Sequence, residues 1–323
     1  MKRAIIVGSE GQDGRFLFDQ LAALGYTLLG VGRGSVRHHD PASGAAPTSF
    51  RAPSVDILNH TQVFDLVMGF APDEIYYLAA YHHSAGDTFP ETPDLVERSF
   101  AVHVHGLLGF LEAMRYSPRS RLFYAASSHV FGDPPTPVQN EETPLNPICV
   151  YGMSKTAAIH LCRFYRRTHG LHVSAGILYN HESQYRRPEF LSQKIVRAAV
   201  AIRNGTQRRL SLGDLSATVD WGYAGDFANA MTRIVALDAP DDFIIATGIP
   251  HTVGDFAAAA FAALGLDPAQ YVTEDRSIPL KRRNVLIGDS TRLRTRTGWQ
   301  PTLSFEDMVA LLVRHAGAAD GTP

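Results

Sequence analysis

Cysteine is scarce in this sequence: Cys149 and Cys162 are the only two in 323 residues. That excludes a disulfide framework and a cysteine-based metal site. The 14 histidines include no His-Glu-x-x-His pair, so no metal centre is expected from them either. An excess of one charge is also missing. The formal net charge is −2, which gives no electrostatic case for nucleic acid or an anionic membrane surface as partner. Apolar runs fall short of the roughly 18–20 residues that span a bilayer. Met1-Lys2-Arg3 and the short apolar run Ala4–Val7 lead into a glycine turn, not a cleavage site. This predicts a cytoplasmic protein without a signal peptide.

What is present is an alternation of short β-branched runs and helical patterns. Ala4–Val7, Thr27–Val31, Ile75–Leu78, Leu122–Ala125 and Val173–Leu178 read as buried strands. Gly14–Leu24, Asp94–Met114 and Tyr151–His169 read as helices. Such alternation predicts an α/β fold with a doubly wound parallel (Rossmann) sheet. Pro41–Pro53, rich in Pro, Ala and Ser, reads as a loop beside a cofactor. The expected organisation is a dinucleotide-binding domain over 1–180, with segments near 210–250 returning to it. Residues 181–323 then form mainly a smaller, interrupted substrate-binding region, with no separate linker.

Gly8-Ser9-Glu10-Gly11-Gln12-Asp13-Gly14 directly follows the first strand and opens the first helix. Glycines there permit a tight turn and let a pyrophosphate approach backbone N–H groups at the helix N-terminus. The expected cofactor contacts are Gly8, Gly11, Gln12, Asp13 and Gly14. The second strand ends in Gly30-Val31-Gly32-Arg33-Gly34-Ser35, with no carboxylate for a ribose 2′-hydroxyl. Arg33 suits a 2′-phosphate and points to NADP; Arg33 stacked on adenine would leave NAD as the alternative. Asp56 and Ile57 are placed to contact the adenine, and Leu78, Ala79 and Ala80 to line the cofactor.

Tyr151-Gly152-Met153-Ser154-Lys155 sets a tyrosine and a lysine four apart at a helix start, on one face. A lysine ammonium near the phenol favours phenolate, letting Tyr151 act as a base. Upstream, Ser127 and Ser128 end a strand, where a hydroxyl can hydrogen-bond the reacting oxygen. Glycine turn, strand-end serines and Tyr-x-x-x-Lys occur in the order an oxidoreductase of this type requires.

With these motifs in place, the chain resembles the extended short-chain dehydrogenases, specifically the GDP-mannose 4,6-dehydratase branch. The resemblance takes in Asn140-Glu141-Glu142-Thr143-Pro144, Asn180-His181-Glu182-Ser183, Lys194, Asp220-Trp221-Gly222 before Asp226, and Ile245-Ala246-Thr247-Gly248. It implies a nucleotide diphosphate sugar as substrate and a homodimer or homotetramer. It implies hydride transfer from sugar C4 to the nicotinamide while Tyr151 removes the 4-hydroxyl proton. Ser128, Tyr81, His82, Asn180 and Lys194 are then expected to face the substrate, with Arg186 or Arg187 near a phosphate or a subunit interface.

Two departures matter. In Ser127-Ser128-His129, His129 occupies the position where the dehydratases carry the glutamate that takes the C5 proton. Val219 stands where they carry an arginine, so Arg282 and Arg283 are the expected phosphate ligands. With C4 oxidation intact and the elimination residue replaced, the expected activity is C4 epimerisation of a GDP- or ADP-linked manno-configured hexose or heptose. A 4,6-dehydratase using His129 as base, a one-way 4-keto reductase or 4-dehydrogenase, and an idle sugar-nucleotide binder are the alternatives. His103 and His105, among apolar helix neighbours, read as packing or subunit contacts.

Overall fold

A computed structural model describes residues 1–33, 36–43, 48–50, 55–81, 92–278 and 285–319. Elements are numbered in chain order. β1 (Arg3–Val7), β2 (Thr27–Val31), β5 (Glu74–Tyr77), β6 (Arg121–Ala125), β8 (His172–Leu178) and β12 (Asp242–Ile245) run parallel. With β3 (Val36–His39) and β4 (Thr48–Phe50) they form one sheet, ordered β12-β8-β6-β5-β1-β2-β3-β4.

Side-chain alternation divides two cores between the faces of this sheet. Ile5, Val7, Ile75, Tyr77, Leu122 and Tyr124 pack against α2 (His60–Phe70), α4 (Gly106–Met114) and α5 (Val150–His169). Ala4, Ile6, Tyr76 and Phe123 meet α1 (Gln12–Ala23) and α7 (Ala224–Ala236) on the other face. Strands buried on both faces read as unbroken apolar runs, which is why they were visible in the sequence.

Three elements differ from the sequence reading. β3 and β4 extend the sheet antiparallel, where an all-parallel sheet was expected. Only residues 32–35 separate β2 from β3, far fewer than the dozen or so a parallel crossover needs, so the chain turns back. Pro41–Pro53 is not simply a loop: it holds a 3₁₀ turn at Pro41–Ser43 as well as β4. The expected helix Asp94–Met114 is divided into α3 (Pro93–Phe100), a π turn at Ala101–His105, and α4.

A third core lies beyond residue 190. α6 (Leu191–Arg203), α8 (Val253–Ala262) and α10 (Phe305–Ala319) bury Ile195, Val196, Phe256, Phe261, Val309 and Leu312 together. Three small sheets accompany it: β10 (Leu210–Leu212) with β14 (Val272–Glu274), β15 (Ile287–Gly288) with β7 (Val138–Gln139), and β13 (Pro250–Thr252) and β9 (Asn180–Glu182) flanking β11 (Thr218–Tyr223). α9 (Thr291–Thr297) connects back towards β12. Among the described residues, no helix is long and apolar enough to cross a membrane.

Candidate active site

The motifs converge at the carboxyl ends of the parallel strands, where open α/β sheets place ligands. Gly8 follows β1 with φ +92°, a left-handed backbone that glycine adopts without steric cost. A Cβ there would stand 2.9 Å from the Ala79 backbone nitrogen, so glycine lets the turn pass the end of β5. A Cβ on Gly14 would lie 2.3 Å from the Gly8 carbonyl oxygen, which fixes how closely α1 packs on the turn. Gly11 begins α1 without a side-chain cap, so first-turn N–H groups are open to an anion. The cradle therefore fits a dinucleotide pyrophosphate.

Gln12 and Asp13 use their side chains within the protein. Asp13 Oδ1 lies 2.9 Å from His181 Nε2, and Gln12 donates to the His181 carbonyl at 3.0 Å. Ser183 Oγ donates to Gln12 Oε1 at 2.8 Å. These contacts fasten the Asn180–Ser183 segment to the glycine turn. Burial opposes both charges, but Asp13 holds the His181 imidazole above its ordinary value, and His181 holds the Asp13 carboxyl below.

Ser127 lies just past β6 and caps the 3₁₀ turn Ser128–Phe131, its Oγ accepting the His129 N–H at 3.3 Å. Tyr151, in the first turn of α5, is hydrogen-bonded to Ser127. Lys155 is 1% exposed, donates to the Ala125 carbonyl at 2.6 Å, and holds Nζ 5.7 Å from the Tyr151 ring centroid. Ser127, Tyr151 and Lys155 are thus brought together. Gly152 makes the approach possible, because a Cβ there would stand 2.5 Å from the His129 carbonyl oxygen.

Burial pushes the Tyr151 phenol above its ordinary value, while the Arg186 charge and the Ser127 hydrogen bond pull it down. Burial also pushes Lys155 down to about 7.

His129 stands edge-on to Tyr151, ring centroids 5.5 Å apart, with its Nδ1 3.6 Å from Cys149 Sγ. Cys149 is the N-cap residue of α5. His103 approaches the same tyrosine ring, also edge-on, at 5.2 Å. It is fully buried, yet its packing is polar, through Ser99, Ser154 and the Tyr81 backbone. His103, Ser154, Cys149 and the proximity of Arg186 to Tyr151 were not assigned to the site from the sequence. The available signals were a histidine in an apolar helix and a serine inside Tyr-x-x-x-Lys.

The other expected residues lie as follows. Arg33 is exposed at the end of β2. Asp56 is exposed and its Oδ1 accepts the Leu58 N–H, while Ile57 packs partly buried on the core. Leu78 and Ala79, half-buried, and Ala80, exposed, follow β5 beside the glycine turn. Ser128 is 3% exposed and belongs to the wall of the site more than to its open side. Asn180 is exposed at the start of β9, and Lys194 is exposed in the first turn of α6. His82, Arg282 and Arg283 lie outside the described residues.

Asp220 of the Asp-Trp-Gly motif is a tie point. Its carboxylate accepts from Thr247 N and Oγ1, Gly248 N and Gly288 N at 2.6–3.1 Å. Asp226 does the same for Thr302 and Leu303. A separate cavity of about 460 Å³ lies between α5 and the start of β12, away from this site. Its Arg163, Arg166 and Arg292 are each paired with carboxylates, so it reads as a structural ion-pair cluster.

A model of the family described as GDP-mannose 4,6 dehydratase matches residues 5–312. The chain belongs to that family. GDP-mannose 4,6 dehydratase 2 of Arabidopsis thaliana is 36% identical over 328 residues, covering 97% of this chain and 86% of that one. GDP-mannose 4,6-dehydratase of Sinorhizobium fredii is 33% identical over 348 residues, with 97% and 96% covered. RMD from Pseudomonas aeruginosa, solved with NADPH, superposes with a TM-score of 0.82 at 20% identity, covering 99% of this chain and 100% of that chain. Thermus thermophilus UDP-glucose 4-epimerase, solved with NAD, gives 0.77 at 23% identity, with 98% and 99% covered. Those two likenesses establish the Rossmann-type fold. The family member described here is an enzyme of the extended short-chain dehydrogenase type.

Proposed function

We propose that this family member is a nicotinamide-dependent nucleotide-sugar 4-epimerase acting by transient oxidation at sugar C4. The observation that carries the reading is the Ser127–Tyr151–Lys155 cluster beside the glycine turn, with an imidazole, not a carboxylate, edge-on to Tyr151 at 5.5 Å. Tyr151 takes the 4-hydroxyl proton, Ser127 hydrogen-bonds the same oxygen, and Lys155 orients the pair from below. When bound, the oxidised nicotinamide supplies the hydride acceptor for C4 and a positive charge beside the phenol. Return of the hydride to the opposite face of C4, with the proton passing back from Tyr151 to the C4 oxygen, gives the epimer with no net use of cofactor.

Loss of water instead needs a group that takes the C5 proton while the departing 6-hydroxyl is protonated. The second reading, a 4,6-dehydratase with His129 as base, draws support from the names of the relatives and the closeness of His129 to Tyr151. Imidazole, with a reference pKa of about 6.5, is chemically able to take that proton.

The proposed substrate is a GDP- or ADP-linked manno-configured hexose or heptose facing Tyr81, Asn180 and Lys194. Arg33 favours NADP over NAD, and mass spectrometry of nucleotides released from the denatured protein decides between them. A homodimer or homotetramer is the proposed assembly.

Incubation of the purified protein with candidate sugar nucleotides and no reductant should give a product of unchanged mass. A product lighter by one water overturns the epimerase reading in favour of the dehydratase. Tyr151→Phe should lower turnover by about 100-fold or more while leaving sugar-nucleotide affinity unchanged. Unchanged turnover in that variant would remove Tyr151 from the chemistry.

A further inference from the structure

We propose that His103 is a positioning residue for the reaction at Tyr151, acting as a neutral imidazole that ties the segment after β5 to the catalytic helix. The inference rests on the reading of Tyr151 given above. His103, Ser99 and Ser154 are each 0% exposed, so their hydrogen bonds must be satisfied within the protein. The Tyr81 backbone N–H donates to His103 Nε2 at 3.1 Å. A backbone amide has only a proton to offer, so Nε2 is the unprotonated nitrogen and Nδ1 carries the hydrogen.

The rest of the network then has one consistent direction. His103 Nδ1 donates to Ser154 Oγ at 2.8 Å, and Ser154 Oγ donates to the Tyr151 carbonyl at 3.0 Å. Ser99 Oγ, 2.9 Å from Ser154 Oγ, gives its proton to the remaining lone pair and sits 3.3 Å from Nδ1. A directed chain therefore runs from the Tyr81 amide, through His103 and Ser154, to the backbone of Tyr151 itself. The imidazole edge also rests against the Tyr151 ring at 5.2 Å.

The π turn at Ala101–His105 carries His103. π-bulges shift the phase of a helix and cluster at functional sites. Here the shift lies between α3 and α4, opposite the first turn of α5. Protonation of His103 would set a second hydrogen against the Tyr81 N–H and break the chain at its first link. Among the described residues, Ser99 of α3, Ser154 and Tyr151 of α5, and the Tyr81 amide face the ring.

Three variants separate the links. Gln places an acceptor near the position of Nε2, Asn a donor near that of Nδ1, and Phe neither. His103→Phe should lower kcat about 10- to 100-fold with KM changed less than about threefold, because a misplaced reacting group costs rate more than binding. His103→Gln and His103→Asn, each keeping one of the two links, should each recover only part of kcat. In the intact protein, two-dimensional ¹H–¹⁵N spectra of the histidine rings should show a neutral Nδ1–H tautomer for the resonance lost in His103→Phe.

Wild-type kcat in His103→Phe, full rescue by Gln or Asn alone, or an Nε2–H tautomer would each overturn the proposal. Loss of kcat only in proportion to loss of folded protein, measured by circular dichroism, would also overturn it. Tyr151→Phe is run beside them. If that variant is inactive and the His103 variants are normal, the positioning role alone fails. If it stays active, the reading of the site itself fails.

Discussion

At the residue scale, Lys155 carries a conflict between function and stability. Its amine is pushed from an ordinary value of 10.5 down to about 7 by burial. The unfolded chain therefore binds more protons than the folded one between about pH 7 and 10.5, and this group makes stability rise with pH across that window. The cost is complete below pH 7, and a shift of that size corresponds to at most roughly 5 kcal/mol. Lys155→Met should abolish turnover yet raise Tm at pH 7, with the gain shrinking towards pH 10; calorimetry at both pH values checks it. A lower Tm at pH 7 would mean that the ammonium stabilises the fold. Tyr-x-x-x-Lys was readable because its spacing follows from helix geometry. The depth of burial was not, because it depends on Tyr124 and Ala125 of β6 arriving from elsewhere in the chain.

At the scale of elements, the site depends on how α5 meets the turn after β6. Gly152 is the contact point, with no room for a side chain against the His129 carbonyl. Gly152→Ala should push the two apart by a few tenths of an ångström or more and weaken the Ser127–Tyr151 hydrogen bond. Turnover should fall about 10-fold or more, with Tm lowered by only a few degrees. Unchanged turnover with an ordinary melting curve would show that the turn yields freely. Elements buried on both faces, such as β1 and β6, were legible as apolar runs. The β3–β4 hairpin was not, since Val36-Arg37-His38-His39 shows no strand alternation of apolar and polar residues. The π turn was hidden for a different reason: the apolar pattern of α3 continues into α4, and an inserted residue leaves no compositional mark.

At the scale of the whole molecule, the motifs that most resemble the family turn out to join its parts. Asn180–Ser183 binds the glycine turn, and Asp220 gathers the ends of β12 and β15. Their pattern was visible in the sequence; their partners lie too far along the chain to be inferred from it. Asp220→Ala leaves three backbone donors, the N–H groups of Thr247, Gly248 and Gly288, without this acceptor, each costing about 1–3 kcal/mol if it stays buried. It should lower Tm by about 10 °C or more, or prevent folding, and Asp220→Asn should recover part of the loss; thermal unfolding of the pair tests this. A Tm unchanged in Asp220→Ala would remove Asp220 from the scaffold.

The same carboxylate has a consequence for synthesis of the protein. Its donors are 27, 28 and 68 residues downstream, and those of Asp226 are 76 and 77 downstream. A growing chain that has just emerged through α7 carries two acids whose partners have not yet emerged. The tie at Asp226 can close only after Leu303 has left the ribosome, long after the helix that carries Tyr151 and Lys155 has emerged.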